Sequence, residues 1–159
     1  MNFSVIKRLA VLALAGCAVA AAPAMAQDYN LAPTYGTVEL AGGFGPGPYT
    51  ADLSSGGSTD VSERIEDCFG YIAAAPEVRL QLVPGSLPLR ISVNSSADTT
   101  LVVNAPDGSW YCDDDSGEGF NPSLHFASPQ GGQYDIWVGT YGSATLAPAT
   151  LAISELTSQ

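Results

Sequence analysis

The sequence predicts an all-β domain, a jelly-roll-like β-sandwich of about eight short antiparallel strands. Beyond the N-terminal segment, apolar residues occur in short runs bounded by Gly, Pro, Asn and Asp. Several of these runs alternate apolar and polar residues, which is the two-residue period of a strand with one buried face. No later segment has the periodicity of a helix of useful length, so a sandwich or jelly roll is the expected architecture.

The first half of the chain contains the weaker strand signals. Residues 37–40 and 49–54 favour strands, and the Gly/Pro-rich residues 42–48 between them favour a loop. A turn follows at residues 55–58. The polar residues 61–67 fit either an edge strand or one helical turn, and both interpretations stay open.

The second half of the chain predicts six strands more clearly. Val78, Leu80 and Leu82 share one face of the first strand, while Tyr134 and Val138 share the face of the fifth that we expect to be buried. Turn residues such as Pro-Gly and Asp-Gly separate the six segments. The predicted strands cover residues 78–82, 89–93, 99–104, 123–126, 134–138 and 147–156.

Residues 1–26 have the pattern of a secretory signal. A charged start at Lys7 and Arg8 precedes an unbroken apolar stretch, and the small-x-small cleavage pattern ends at Ala26. We therefore expect cleavage after Ala26, export to the periplasm or the outside of the cell, and a single β-sandwich domain over residues 27–159.

Lipid anchoring is the alternative interpretation of the same segment. Residues 14–17 read Leu-Ala-Gly-Cys and match the lipobox of bacterial lipoproteins, in which Cys17 would be lipidated. The residues after Cys17 remain apolar, whereas a lipoprotein tether is usually polar, so we favour ordinary cleavage. The apolar stretch is too short and too rich in Ala for a transmembrane span.

The chain is strongly acidic, with five Lys and Arg against 16 Asp and Glu and a formal net charge of -11. Loss of the signal would leave Arg64, Arg79 and Arg90 as the only fixed cations. Nucleic acids and anionic membranes require a basic surface, so both are excluded as partners. The charge suits cation binding and solubility outside the cell.

Two cysteines, Cys68 and Cys112, remain in the exported chain. An even pair in an exported protein predicts one disulfide. It would close a loop of about 45 residues and contribute on the order of 4 kcal/mol in the chain-entropy treatment. A reactive thiol pair would need close spacing or an activating base, and neither is visible.

Three consecutive carboxylates, Asp113, Asp114 and Asp115, follow the second cysteine in a Gly-containing loop. Adjacent like charges repel, so either full solvation or a bound cation must stabilise this loop. Together with Glu118 and Asp98, they offer the hard oxygen ligands that Ca²⁺ prefers. Neither an EF-hand loop nor the RTX nonapeptide is present. A calcium site and a solvated turn with capping carboxylates both remain open.

Two carboxylates flank the neighbouring strand. Asp98 and Asp107 stand at the turns before and after residues 99–104. We expect both side chains to converge on the end of the sandwich that holds the acidic loop, where they would add to a set of calcium ligands.

Aromatic residues near the acidic loop suggest a ligand-binding surface. Trp137 is out of phase with the predicted core residues of its strand, Tyr141 follows in phase with it, and Trp110 precedes the loop. Exposed aromatics beside carboxylates are typical of sugar-binding surfaces. The alternative, which we favour, is that Trp137 covers a sheet edge or packs under a loop.

Catalytic signatures are weak. The sole histidine, His125, falls inside a short predicted strand, and no nucleophile elbow accompanies it. One histidine and two paired cysteines do not make a typical zinc site. The sequence also lacks nucleotide-binding fingerprints. We expect a protein that is not an enzyme.

Four motifs in order resemble the bacterial pre-peptidase C-terminal domain family. Residues 98–108 read DTTLVVNAPDG, residues 113–117 read DDDSG, residues 121–122 read NP, and residues 131–139 read GGQYDIWVG. Their order and spacing carry the resemblance, which covers roughly residues 78–156. The part before it looks like an added strand region tied to the core by the cysteine pair.

The resemblance implies a jelly-roll-like, non-catalytic accessory domain. Members of that family usually accompany secreted proteases, assist secretion or matrix binding, and in some cases bind calcium. We expect a stand-alone variant without an attached protease domain, which would act in trans, at the cell surface or in an assembly. Its expected partner is an unidentified protein or polysaccharide at the cell surface. The alternatives are a carbohydrate-binding module and, less favoured, a small secreted hydrolase or inhibitor.

Overall fold

Two β-sheets packed face to face form the described part of the chain, residues 28–157 of a computed structural model. The predicted all-β sandwich is confirmed. The predicted signal segment, with the lipobox and Cys17, lies outside the described residues. Within residues 28–157, no helix has both the length and the apolar character required to cross a membrane.

The described residues contain eleven strands and one 3₁₀ turn, Val61–Glu63. The polar residues 61–67, for which an edge strand and a helical turn were both expected, therefore begin with a helical turn. The strands are β1 (Thr37–Ala41), β2 (Tyr49–Ser55), β3 (Thr59–Asp60), β4 (Tyr71–Ile72), β5 (Val78–Val83), β6 (Leu89–Asn94), β7 (Thr99–Asn104), β8 (Trp110–Asp113), β9 (Ser123–Phe126), β10 (Gly132–Thr140) and β11 (Ala147–Ser154).

Three strands exceed the predicted set of about eight. β3 and β4 are two-residue strands that pair with each other, and tertiary contact rather than local pattern forms them. β8 is a correction, because the sequence pattern predicted no strand between residues 104 and 123. Its residues instead continue the hairpin from β7, with Asn104 opposite Trp110 and Leu101 opposite Asp113.

The larger sheet has seven strands centred on β10. One edge of β10 pairs with β7, which in turn pairs with β8, and the other edge pairs with β5 and, beyond the end of β5, with β4. β1 runs parallel to β5, with Thr37 opposite Arg79, so one pair departs from the expected antiparallel arrangement. The smaller sheet has the order β2-β11-β6-β9.

The main core lies between the two sheets. The predicted apolar faces of β5 and β10 both point into it, and Leu80 and Ile136 are fully buried. Ile91 and Leu151 enter from the smaller sheet. Burial of each such side chain contributes roughly 1.5–3 kcal/mol, so this layer dominates the stability of the fold.

A second, smaller cluster lies on the outer face of the larger sheet. Trp137 and Val102 point away from the main core and are covered by Val61 and Ile72. The Cys68–Cys112 disulfide is present, with 5.6 Å between the two Cα atoms, and it ties the covering segment to β8. The predicted disulfide is thus confirmed.

Gly139 allows the covering segment to lie close to the sheet. A Cβ atom at this position would stand 2.6 Å from the carbonyl oxygen of Tyr71 and 2.6 Å from Cγ2 of Thr100. Because such contacts are far inside van der Waals distance, only glycine permits the observed approach.

Candidate functional site

Asp113, the first residue of the acidic run, accepts the hydrogen bonds that hold the turn after β8. Asp113 ends β8, and its Oδ1 accepts a hydrogen bond from Ser116 Oγ at 2.6 Å. Its Oδ2 accepts from the backbone N–H groups of Ser116 at 3.0 Å and Ser123 at 2.7 Å. Both carboxylate oxygens of Asp113 are therefore engaged inside the protein, as in a capped turn.

Asp98, Asp114 and Asp115 lie near one another at the same end of the sandwich. Partial burial, followed by the negative charges of Asp115 and Asp114, raises the pKa of Asp98. Like charges disfavour the ionised form when they lie close together, so the two neighbouring aspartates contribute to the raised pKa of Asp98.

Asp107 does not join this cluster, which corrects the expected convergence. Its Oδ1 accepts a hydrogen bond from the Ser109 backbone at 2.9 Å, and its Oδ2 accepts from Gln130 Nε2 at 3.1 Å. These contacts hold the pKa of Asp107 below its ordinary value. Asp98 precedes the six-residue strand β7 and Asp107 follows it, so about 20 Å of strand separates the two residues.

The described residues of the acidic end do not form a preassembled calcium site. Among residues 28–157, no group of three or more His, Cys, Asp and Glu side chains is arranged to hold a metal ion. Glu118 is exposed, and its backbone carbonyl accepts a hydrogen bond from Asn121 Nδ2 at 3.1 Å. Asn121 also accepts from the Ser95 backbone and from the Thr99 hydroxyl, so it fastens the loop to two turns.

The three predicted ligand-binding aromatics do not form one surface. Trp137 has no solvent exposure, and its ring packs against Trp110 with 5.3 Å between the centroids. The expectation that Trp137 could contact a ligand is therefore corrected, and the favoured alternative, packing beneath a loop, is confirmed. Tyr141 is 43% exposed and directly follows the end of β10. It lies six residues beyond Asp135 of that strand, which corresponds to a distance of about 20 Å.

A groove on the outer face of the larger sheet contains Trp110 together with residues that sequence reasoning did not select. It has a volume of about 330 Å³ and lies beside the turn between β7 and β8. Small ligand sites begin at about 300 Å³. Its lining side chains are Tyr29, Asn104, Ala105, Pro106, Trp110, Gln133 and Asp135. We call this the Tyr29–Trp110 groove.

The polar floor of the groove is fixed by a chain of side-chain hydrogen bonds. Gln81 Nε2 donates to Gln133 Oε1 at 3.0 Å, and Gln133 Nε2 donates to Asp135 Oδ2 at 2.7 Å. Arg79 Nε then donates to Asp135 Oδ1 at 2.6 Å in an ion pair whose carboxylate is almost fully buried. The strands β5 and β10 hold these residues in register, so the floor is rigid.

The same arginine positions Tyr29. Arg79 Nη2 donates hydrogen bonds to the backbone carbonyls of Tyr29 and Leu31. Arginine can do this while pairing with Asp135 because its guanidinium carries several donors in one plane. The residues before β1 are thereby fastened over the sheet, with the Tyr29 side chain half exposed at the groove.

Some of the groove was accessible to sequence reasoning. Gln133 and Asp135 alternate with the core-facing residues of β10, and this alternation could have placed them on the outer face. The turn at residues 105–109 sets Asn104 opposite Trp110 once the hairpin is recognised. Tyr29 had no local signal, since a contact about 50 residues along the chain positions it.

His125 stands apart from both regions. It is exposed on β9, opposite Arg90 of β6, and makes no side-chain hydrogen bond to a serine or carboxylate within residues 28–157. A nucleophilic mechanism requires a nucleophile, a base and an orienting group in contact. The described residues around His125 do not supply that arrangement.

Neither a known family model nor a curated protein matches the chain. Among solved structures, the fold is similar to the pre-peptidase C-terminal domain of a collagenase from Bacillus anthracis, with 13% identity, a TM-score of 0.45 and coverage of 74% of this chain and 94% of that one. It is also similar to a surface-associated copper-binding protein of Methylomicrobium album BG8, with 13% identity, a TM-score of 0.44 and coverage of 78% and 100%.

A third similar structure is a periplasmic inhibitor of g-type lysozyme from Aeromonas hydrophila. Its identity is 16%, its TM-score is 0.38, and the alignment covers 74% of this chain and 96% of that one. Identities and TM-scores at these levels assign neither a family nor a function to the chain.

Proposed function

We propose that this chain is a non-catalytic, exported binding domain and that the Tyr29–Trp110 groove is its ligand-contact surface. The observation that carries the proposal is the construction of the groove. Two strands fix a hydrogen-bonded polar floor, and the Arg79–Asp135 ion pair couples that floor to the segment that presents Tyr29. Preorganised groups of this kind bind without a large entropic cost for ordering them.

Export is supported by the disulfide and by the predicted signal. Disulfides persist in oxidising compartments and are rare in the cytosol. The proposed location is the periplasm or the extracellular space, with lipid anchoring through Cys17 as the alternative. In this setting the proposed partner is a polysaccharide or protein of the cell surface, and the resemblance to pre-peptidase C-terminal domains supports such an accessory role.

We also propose that Ca²⁺ associates weakly with the acidic end, near Asp98, Asp114 and Asp115, which form no preassembled metal site within residues 28–157. The supporting observation is the raised pKa of Asp98, which the charges of Asp115 and Asp114 help to produce. A divalent cation would relieve this repulsion. Asp113 is not proposed as a ligand because both of its oxygens serve the turn.

Sedimentation with cell envelopes of the producing organism tests the binding proposal. The mature protein should sediment with the insoluble envelope fraction, and Trp110→Ala should reduce the bound fraction. Tyr141→Ala removes an exposed aromatic outside the groove and should leave binding unchanged. Binding that is absent, or equally reduced in both variants, would overturn the proposal. Thermal melting of each variant checks that the fold is retained.

A further inference from the structure

We infer that the Tyr29–Trp110 groove binds one unit of a neutral saccharide. This inference rests on the proposed binding function and names the ligand class of the same groove. A sugar ring has an apolar C–H face and a rim of hydroxyl groups. The groove has matching parts, since Tyr29 and Trp110 supply aromatic surface and the floor supplies polar atoms.

Beside the floor, Asn104 offers an acceptor to a ligand. Asn104 Nδ2 donates to the carbonyl of Gly108 at 3.2 Å, at the turn between β7 and β8. Its Oδ1 accepts no hydrogen bond from any residue of the described range 28–157. Because Asn104 is partly exposed, this oxygen is open to solvent, and a sugar hydroxyl can donate to it in place of water.

The electrostatics of the groove disfavour an anionic ligand. Among residues 28–157, Asp135 is the only charged side chain that lines it, and Arg79 neutralises that carboxylate through the 2.6 Å ion pair. The chain as a whole carries a formal charge of -11 and repels polyanions. Acidic polysaccharides and nucleic acids are therefore disfavoured, and neutral glycans are not.

A proline-rich peptide is the competing ligand, because such peptides also bind aromatic-lined grooves. Proline has no backbone N–H and cannot donate to Asn104 Oδ1. The amides and the carboxylate of the floor are hydrogen-bonded to one another, so Asn104 Oδ1 is the polar contact that distinguishes the two ligands. The saccharide therefore accounts for more of the groove.

Affinity electrophoresis through gels that contain neutral polysaccharides (glucans, mannan, galactan, xylan and soluble chitin derivatives) tests the inference. At least one polysaccharide should retard the mature protein. Tyr29→Ala and Asn104→Ala should weaken the retardation about tenfold, which corresponds to the loss of one good contact. Tyr141→Ala is the matched control and should migrate as the unaltered protein does. Tyr29 is 50% exposed, so its replacement leaves the fold intact.

Three results would overturn the inference, and they separate it from the proposed function. Envelope binding that depends on Tyr29, without retardation by any neutral polysaccharide, would reject the saccharide and keep the binding groove. Binding of a proline-rich peptide in place of polysaccharide would do the same. If Tyr29→Ala leaves envelope binding unchanged and no neutral polysaccharide retards the protein, both the saccharide and the assignment of the groove as the ligand-contact surface would be rejected.

Discussion

The side chain of Glu77 takes the place of a strand partner for Val138. Its Oε2 accepts a hydrogen bond from the Val138 backbone N–H at 2.9 Å, in the gap that β5 and β4 leave along one edge of β10. The Glu77 side chain is almost fully buried, and this burial raises its pKa to about 8. A protonated carboxyl therefore completes the larger sheet near neutral pH.

Stability should fall as the pH rises from about 4.5 to about 8. In this window the folded chain keeps a proton that Glu77 has released in the unfolded chain, because the folded pKa is about 8 and the ordinary value is 4.5. The free energy of unfolding is highest below this window and decreases through it, by on the order of a few kcal/mol. Urea unfolding at a series of pH values measures the slope.

Replacement by an amide should remove this dependence. Glu77→Gln keeps an acceptor for the Val138 N–H but does not ionise, so its stability should change little between pH 5 and pH 8 and should exceed that of the unaltered chain at pH 8. Glu39→Gln, at an exposed position of β1, is the control and should retain the original slope. Equal slopes in the Glu77 and Glu39 variants would contradict the account.

Loss of the Cys68–Cys112 disulfide should lower the free energy of unfolding and loosen the outer cluster around Trp137. The double variant Cys68→Ser, Cys112→Ser should lower the free energy of unfolding by about 2–5 kcal/mol, since the bond closes a loop with a sequence separation of 44. Tryptophan fluorescence should shift to longer wavelength as the cover over Trp137 loosens. An unchanged melting temperature and spectrum would show that the disulfide does not hold the cover in place.

Close packing at Gly139 makes a further prediction. Gly139→Ala should destabilise the fold by about 2 kcal/mol, because the added methyl would displace the Tyr71 carbonyl or Thr100. Gly47→Ala, where an added Cβ meets no atom within 4 Å, should change stability by less than about 0.5 kcal/mol. Similar melting temperatures for both variants would show that the covering segment moves freely.

Calcium should raise the melting temperature relative to chelator, by linkage between binding and folding. The proposed ligand set predicts that Asp98→Asn abolishes the increase. Asp52→Asn, on the smaller sheet, should preserve it. NaCl at the same ionic strength separates binding from charge screening. An increase that persists in Asp98→Asn, or that NaCl reproduces, would reject the calcium proposal.

Local pattern predicted most of the sandwich because its strands alternate cleanly. Val78, Leu80 and Leu82 were expected on one face and are all buried. β8 was missed because its Trp-Tyr-Cys-Asp sequence leads directly into the acidic run, and its pairing with β7 outweighs local polarity.

The Tyr29–Trp110 groove was less predictable because distant parts of the chain build it. Trp110 was identified as a ligand-binding residue, and it does line the groove. Trp137 lies on the same outer face of the sheet as Trp110, but residues 61–72 cover Trp137. The alternation of apolar and polar residues does not show which part of an outer face is covered. Asp113 was expected to bind a metal, whereas its hydrogen bonds depend on Ser123, ten residues away.

The measurement that tests the central claim most directly compares the envelope-bound fractions of Tyr29→Ala and Tyr141→Ala. Both variants remove one exposed tyrosine, and only Tyr29 lines the groove. The account predicts a clear loss of binding for Tyr29→Ala and none for Tyr141→Ala. Equal binding by the two variants would contradict the assignment of the Tyr29–Trp110 groove as the ligand-contact surface.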